Sequence, residues 1–238
     1  MSFDTPAIPQ QNSSTTPRYD IYRGIHKAVR AFMCNTLLAV GRLDAADRHE
    51  AAATVRQVRS MATFCASHLA HEDRFIHPAM EERRPGSADN LVEDHRHHGV
   101  RLQEIGQLAD RLEQAADSAA LEQLQRLLAD FTADSLQHMN IEETWNNAVL
   151  WDTHTDAELM AIEQAIVASI PADEMMLCLR WMMIGSSPTE RAELLAGMRQ
   201  NAPRPAYEAA LALARECLDA RDWNRLAQAL EESEPLAA

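Results

Sequence analysis

His68-Leu69-Ala70-His71-Glu72 is the stretch on which the reading of this chain turns. On a helix, positions 68 and 72 lie one turn apart on one face, so an imidazole and a carboxylate project side by side. That donor pair suits a cation of intermediate hardness such as iron, manganese or zinc. The spacing returns at His138-Met139-Asn140-Ile141-Glu142. Alone it is a weak signal, because His77/Glu81 and His154/Glu158 share it. What sets 68/72 and 138/142 apart is the apolar stripe that each one interrupts.

Working outward, that stripe belongs to a second helix carrying Val58, Met61, Cys65, His68, Glu72 and Phe75, broken at Pro85-Gly86-Ser87. Upstream, a helix from about Asp20 to Arg42 turns Tyr22, His26, Val29, Met33, Leu37 and Val40 inward. Downstream, a third helix lines up Leu91, His95, His98, Leu102, Ile105, Ala109 and Leu112. The fourth presents Leu124, Leu128, Phe131, Ser135, His138, Glu142, Trp145 and Val149. Steps of three and four residues mark each set as a core-facing face. Short connections predict an all-α, up-down-up-down four-helix bundle.

In such a bundle the polar members of the stripes fall level with one another. His26 and His68 lie about 20 residues either side of the first turn, and His98 and His138 are about equally far from the third, at a rise of about 1.5 Å per residue. Burying five imidazoles and two carboxylates in one layer is costly without a cation to compensate. The predicted ligands are therefore His26, His68, Glu72, His95, His98, His138 and Glu142. Seven donors exceed what one four- to six-coordinate ion uses, which points to two ions. His49, His71, His77, His97 and His154 form the contrast set, read as solvated surface. His77, nine residues past His68, falls about half a turn off its face at roughly 100° per residue.

Composition narrows the function. The chain has 238 residues, 46% of them apolar, only seven glycines and a formal charge of −14. Long Ala/Leu/Glu/Arg stretches favour helix. The acidic balance argues against nucleic acid or an anionic membrane surface as partner. No stretch approaches membrane-spanning length, and no basic start leads into an apolar run. Cys34, Cys65, Cys178 and Cys217 are isolated, with no C-x-x-C, as expected of buried free thiols in a reducing cytoplasm.

As an ordered set on four helices, His26, His68/Glu72, His95 with His98, and His138 with Glu142-Glu143 resemble the hemerythrin-like, or HHE cation-binding, family over about residues 20–150. The resemblance implies a di-iron centre with histidine ligands, in which Glu72 and a carboxylate of the fourth helix bridge two metals about 3.5–4 Å apart. Zinc or another divalent ion could replace iron in a purified sample. The chain departs from the invertebrate oxygen carriers at two points. Their His-x-x-x-His on the third helix meets Gly99 here, with the second histidine one residue earlier at His98. Their terminal His-x-x-x-x-Asp is replaced by Glu142 and Glu143, of which Glu142 stays on the stripe, about 40° from His138.

Three segments are expected: an irregular arm over 1–17, the bundle over 18–152, and a helical extension over 153–238. Within the extension, helices are predicted at Asp156–Ile170, Ala172–Ile184, Thr189–Gln200, Ala206–Ala220 and Asp222–Glu232. Ser187-Pro188-Thr189-Glu190 has the form of a capped helix start. Leu177, Trp181, Met182 and Met183 make an apolar face suited to a core, to a second copy or to a protein partner. The expected function is reversible binding or sensing of O₂, NO or iron/redox state, more a gas- or metal-binding role than a catalytic one. The alternatives are a di-iron oxidase or peroxidase-like enzyme and a metal-free helical interaction module.

Overall fold

A computed structural model describes residues 17–44, 46–115 and 117–232. The expected arm over 1–17 lies, apart from Pro17, outside the described residues. The described chain is all-α, as its composition predicts. It divides into two compact units. One takes the chain through Arg23 together with Met33–Ser169, and the other takes Gly24–Phe32 with the chain from Ile170 onward. Helix α1 (Arg23–Arg42) contributes residues to both. No helix among the described residues is long and apolar enough to cross a membrane.

The first unit is built on three long helical rods besides its share of α1. Helix α2 (Arg48–His71) starts at Asp47, whose carboxylate accepts the amides of His49 and Glu50. It runs without a break through a π turn, Glu72–Ile76, into α3 (His77–Arg83). The rod stops before Pro85, where Gly86 takes a φ of +83°. The Glu81 carboxylate closes that turn by accepting the amides of Gly86 (2.8 Å) and Ala88 (2.6 Å). Helix α4 (Asp89–Gln114) returns between α2 and α5 (Ser118–Ile141), the latter capped by Asp117. A second π turn, Glu142–Asn146, carries α5 into α6 (Asn147–Thr153).

Neighbouring rods run antiparallel. Arg48, at the start of α2, donates to the carbonyls of Leu112 and Glu113 at the end of α4. Gln125, early in α5, donates to the carbonyl of Val40 at the end of α1. Polar residues form a middle layer between apolar ones. On α4, Leu91 lies below His95 and His98, with Leu102, Ile105, Ala109 and Leu112 above, and all seven are buried. The apolar layer at one end gathers Tyr22, Ile76, Met80, Leu91, Val149, Leu150 and Leu159.

Leu159 belongs to α7 (Asp156–Ser169), which packs on the first π turn and lies in this unit. Arg18 ties it down, donating to Asp156 and to the carbonyls of Trp151 and His154, each at 2.7 Å. Arg83 pairs with Glu158 and Tyr19 hydrogen-bonds Glu163.

The second unit contains α8 (Ala172–Gly185), α9 (Pro188–Asn201), α10 (Arg204–Cys217) and α11 (Ala220–Glu232). Its core joins Leu179, Met183, Leu195, Leu213, Leu226 and Leu230. Ser187 and Glu190 form the predicted capping box at the head of α9. Glu190 also pairs with Lys27 Nζ at 2.6 Å. The Trp181 ring stacks on Phe32, centroids 4.1 Å apart, so part of the apolar face predicted on α8 covers the 24–32 stretch of α1. Gly185 is required there, because a Cβ would meet the Lys27 carbonyl oxygen at 2.5 Å. Cys65 and Cys178 are buried as expected, whereas Cys34 is exposed and Cys217 is half-buried.

Candidate metal centre

The two π turns begin at Glu72 and Glu142, the two carboxylates of the sequence pattern. A π turn bonds i to i+5 and holds roughly one more residue than an α turn, so everything downstream slips back by about 100°. The buried stripe accordingly moves one position along. Phe75 and Trp145, predicted inward, are only half-buried, and Ile76 and Asn146 are buried in their place. Pro78 supplies a local cause for the first widening. It has no N–H to donate, and its ring would press on the carbonyl four residues back in an unbroken α-helix. The second π turn has no proline; inside it the Thr144 hydroxyl donates to the Asn140 carbonyl four residues back at 2.7 Å, a contact that bends helices.

The same slip corrects the contrast set. His77, expected at the surface, is buried, because the extra residue brings it toward the interior. His154 is buried as well, where the chain turns from α6 to α7 and its Nδ1 meets Thr153 Oγ1 at 2.8 Å. His49 and His97 are exposed, as expected, and His71 is half-buried.

Donor atoms of Glu72, His95, His138 and Glu142 converge within 4.8 Å of one another, and all four side chains are buried. Glu72 faces two histidines at once, Oε1 at 3.4 Å from His68 Nε2 and Oε2 at 3.5 Å from His95 Nε2. Glu142 Oε1 lies 3.3 Å from His138 Nε2 and 3.9 Å from His95 Nε2. His98 is buried beside this set, its ring edge-on to those of His138 and Phe131. His26 is buried on α1, in the stretch that groups with the second unit. Glu143 is half-buried and outside the converging set.

Behind the converging atoms stand residues that the stripe reading did not single out. Asp73 Oδ1 lies 2.8 Å from His95 Nδ1, and Asp94 Oδ2 faces His138 Nδ1 at 3.5 Å, the outer edge of hydrogen-bond reach. Each carboxylate favours a proton on Nδ1, which leaves the Nε2 lone pairs of both rings aimed at each other, 3.0 Å apart. One cation must sit between them, a proton or a metal ion. Burial alone would lower the pKa of His138, but Asp94 and Glu142 reverse that and raise it to about 10. Burial, then the charge on His138, pushes His95 down to about 3, and the same two causes take His98 to about 4. Two carboxylates and two imidazoles directed at one point fit a metal ion of intermediate hardness.

Tyr22 is also fully buried beside the site, with its hydroxyl accepting from Asn146 Nδ2 at 3.2 Å. Burial, then Glu142 and Glu72, holds its phenol protonated well above the ordinary range. Its position on the first inward stripe was legible, and its role beside the carboxylates was not.

A family model of the hemerythrin HHE cation-binding domain matches residues 18–150. The chain belongs to that family. The match spans the rods that carry both His/Glu pairs and the buried His/Glu cluster, so the hemerythrin-like domain here fits a metal-binding protein. No curated protein and no solved structure matches the chain.

Proposed function

We propose that this hemerythrin-like protein is a cytoplasmic di-iron protein that binds or senses O₂, NO or iron/redox state. The observation that carries the reading is Glu72, whose two oxygens face different histidines, His68 and His95, as a carboxylate bridging two ions would. Glu142 would hold the ions together with Glu72, and His26, His68, His95, His98 and His138 would supply the imidazoles. His26 enters from the sequence pattern. Two irons held in this way would supply reversible binding of a diatomic ligand. Asp73 and Asp94 orient the rings of His95 and His138. Tyr22 keeps a proton beside the two carboxylates, and the apolar layers around them keep bulk water out. Histidine-rich ligation favours binding over turnover, since oxygen-activating di-iron bundles are usually carboxylate-rich.

Elemental analysis of protein from iron-replete cells, purified without chelators, should give about two metal ions per chain, iron with some zinc. The visible spectrum of the oxidised protein should change on adding azide, and that of the reduced protein on adding O₂. A metal-free preparation would sink the reading. A spectrum indifferent to every small ligand would leave a metal store. Continuous consumption of O₂ with a reductant would favour the oxidase alternative.

A further inference from the structure

Beside the metal cluster, a cavity of about 340 Å³ opens between the first π turn and the start of α4. Asp73, His77, Glu81 and Asp89 are among its lining residues, and none of the described residues that line it is Lys or Arg. Glu81 is committed elsewhere, since both its oxygens hold the amides of the 84–88 turn. Asp73 is half-exposed and reaches two histidines, His77 Nδ1 at 3.1 Å and His95 Nδ1 at 2.8 Å. Donor atoms of Asp73, His77 and His95 lie within 4.8 Å of one another. His77 is 3% exposed, and among the described residues neither ring nitrogen has a hydrogen-bond partner, Nδ1 having only the 3.1 Å approach of Asp73 and Nε2 no approach of that kind. A ring needed only to steady Asp73 would use Nδ1 alone, and burying a bare second nitrogen carries a cost.

We propose that Asp73 and His77 form an outer divalent-cation site in this cavity, from which the buried centre is loaded past the ring of His95. His95 is the link between the two, with Nδ1 turned to Asp73 and Nε2 to His138 and Glu72. The acidic cavity gathers the cation, Asp73 and His77 replace part of its water, and rotation of the His95 ring opens the way inward. The inference rests on the metal-binding reading of the inner cluster.

The test is uptake of Co²⁺ by the full chain after chelator treatment, followed by its visible absorption in a stopped-flow instrument and by equilibrium dialysis. His77→Asn is the informative variant: the amide keeps a donor near the place of Nδ1, holding Asp73 and hence His95, but removes Nε2. The unmutated protein should load in two phases, a fast weak one and a slower tight one. In His77→Asn the fast phase should vanish and tight loading should slow by at least about 10-fold, the lower end of charge-steered rate effects. Its tightly bound Co²⁺ at equilibrium should stay that of the unmutated chain. Asp73→Asn should slow loading likewise. Unchanged loading rates in His77→Asn would overturn the outer site and leave the inner reading intact. Loss of tight Co²⁺ from that variant would make His77 an inner ligand and also overturn the relay. No Co²⁺ uptake by the unmutated chain would remove both readings.

Discussion

At His138, Asp94 and Glu142 outweigh burial and favour a positive charge between buried side chains. Removing a member of that set leaves its neighbours buried without compensation, at about 1–3 kcal/mol for each orphaned group. His138→Ala and Glu142→Ala should therefore lower urea midpoints and metal content together. His97→Ala, on an exposed position of the same helical layer, should stay within about 0.5 kcal/mol of the unmutated chain. Equal losses in both classes would contradict the assigned faces. His154→Ala should also cost stability, about 1 kcal/mol, with no effect on metal content, because the ring is buried against Thr153 away from the cluster. The converging donors were legible because each occupies a regular position on an α stripe up to the carboxylate. Asp73 and Asp94 were not, since each sits next to a stripe residue and acts only through a ring on a neighbouring helix. His77 was misplaced because counting at 100° per residue takes no account of a π turn.

Among the elements, α4 shows how far periodicity reaches: with no widened turn inside it, its predicted inward face and its buried face are the same seven residues. The rods that hold Glu72 and Glu142 depart from their stripes only beyond those carboxylates. Chemistry local to a turn is read more directly still, as at α9. Ser187→Ala removes the acceptor for the Glu190 amide and should cost about 1 kcal/mol. Glu190 itself should contribute to the acid response of this unit. Bonding to Lys27, together with the Ser187 amide, lowers its carboxyl from 4.5 to about 2. A depressed folded pKa contributes stability that is present above the unfolded value and lost as pH falls through the folded one. Glu190→Gln should thus flatten the fall in stability between about pH 4.5 and pH 2, read from thermal midpoints across that window. An acid limb of unchanged slope would contradict the assigned pair. Gly185→Ala should destabilise by about 1–3 kcal/mol, since the added methyl meets backbone that cannot step aside.

For the whole molecule, the question is where the metal-binding unit ends. The sequence change after Trp151 invites a boundary at 152, because the inward His/Glu pattern stops there and short amphipathic helices begin. Contacts that close over long sequence separations carry no periodicity, so the Arg18 bonds to Asp156 and to the Trp151 and His154 carbonyls leave no mark in the pattern. We place the boundary of the unit after α7. Two truncated chains test this, one ending at Thr153 and one at Ser169. Both lose α8 to α11 and uncover the same Phe32 face, so the comparison isolates α7. Leu159 is fully buried in the longer chain, with Ile162 and Ile166 partly covered beside it. Burying one such leucine side chain contributes about 1.5–3 kcal/mol. The chain ending at Ser169 should bind as much metal as the full protein and unfold in one cooperative step. The chain ending at Thr153 should unfold at a lower urea midpoint, by at least that amount of free energy, with Tyr19 and Trp151 newly open to solvent quenchers. Identical midpoints and identical quenching would return the boundary to 152 and make α7 an appendage of the bundle.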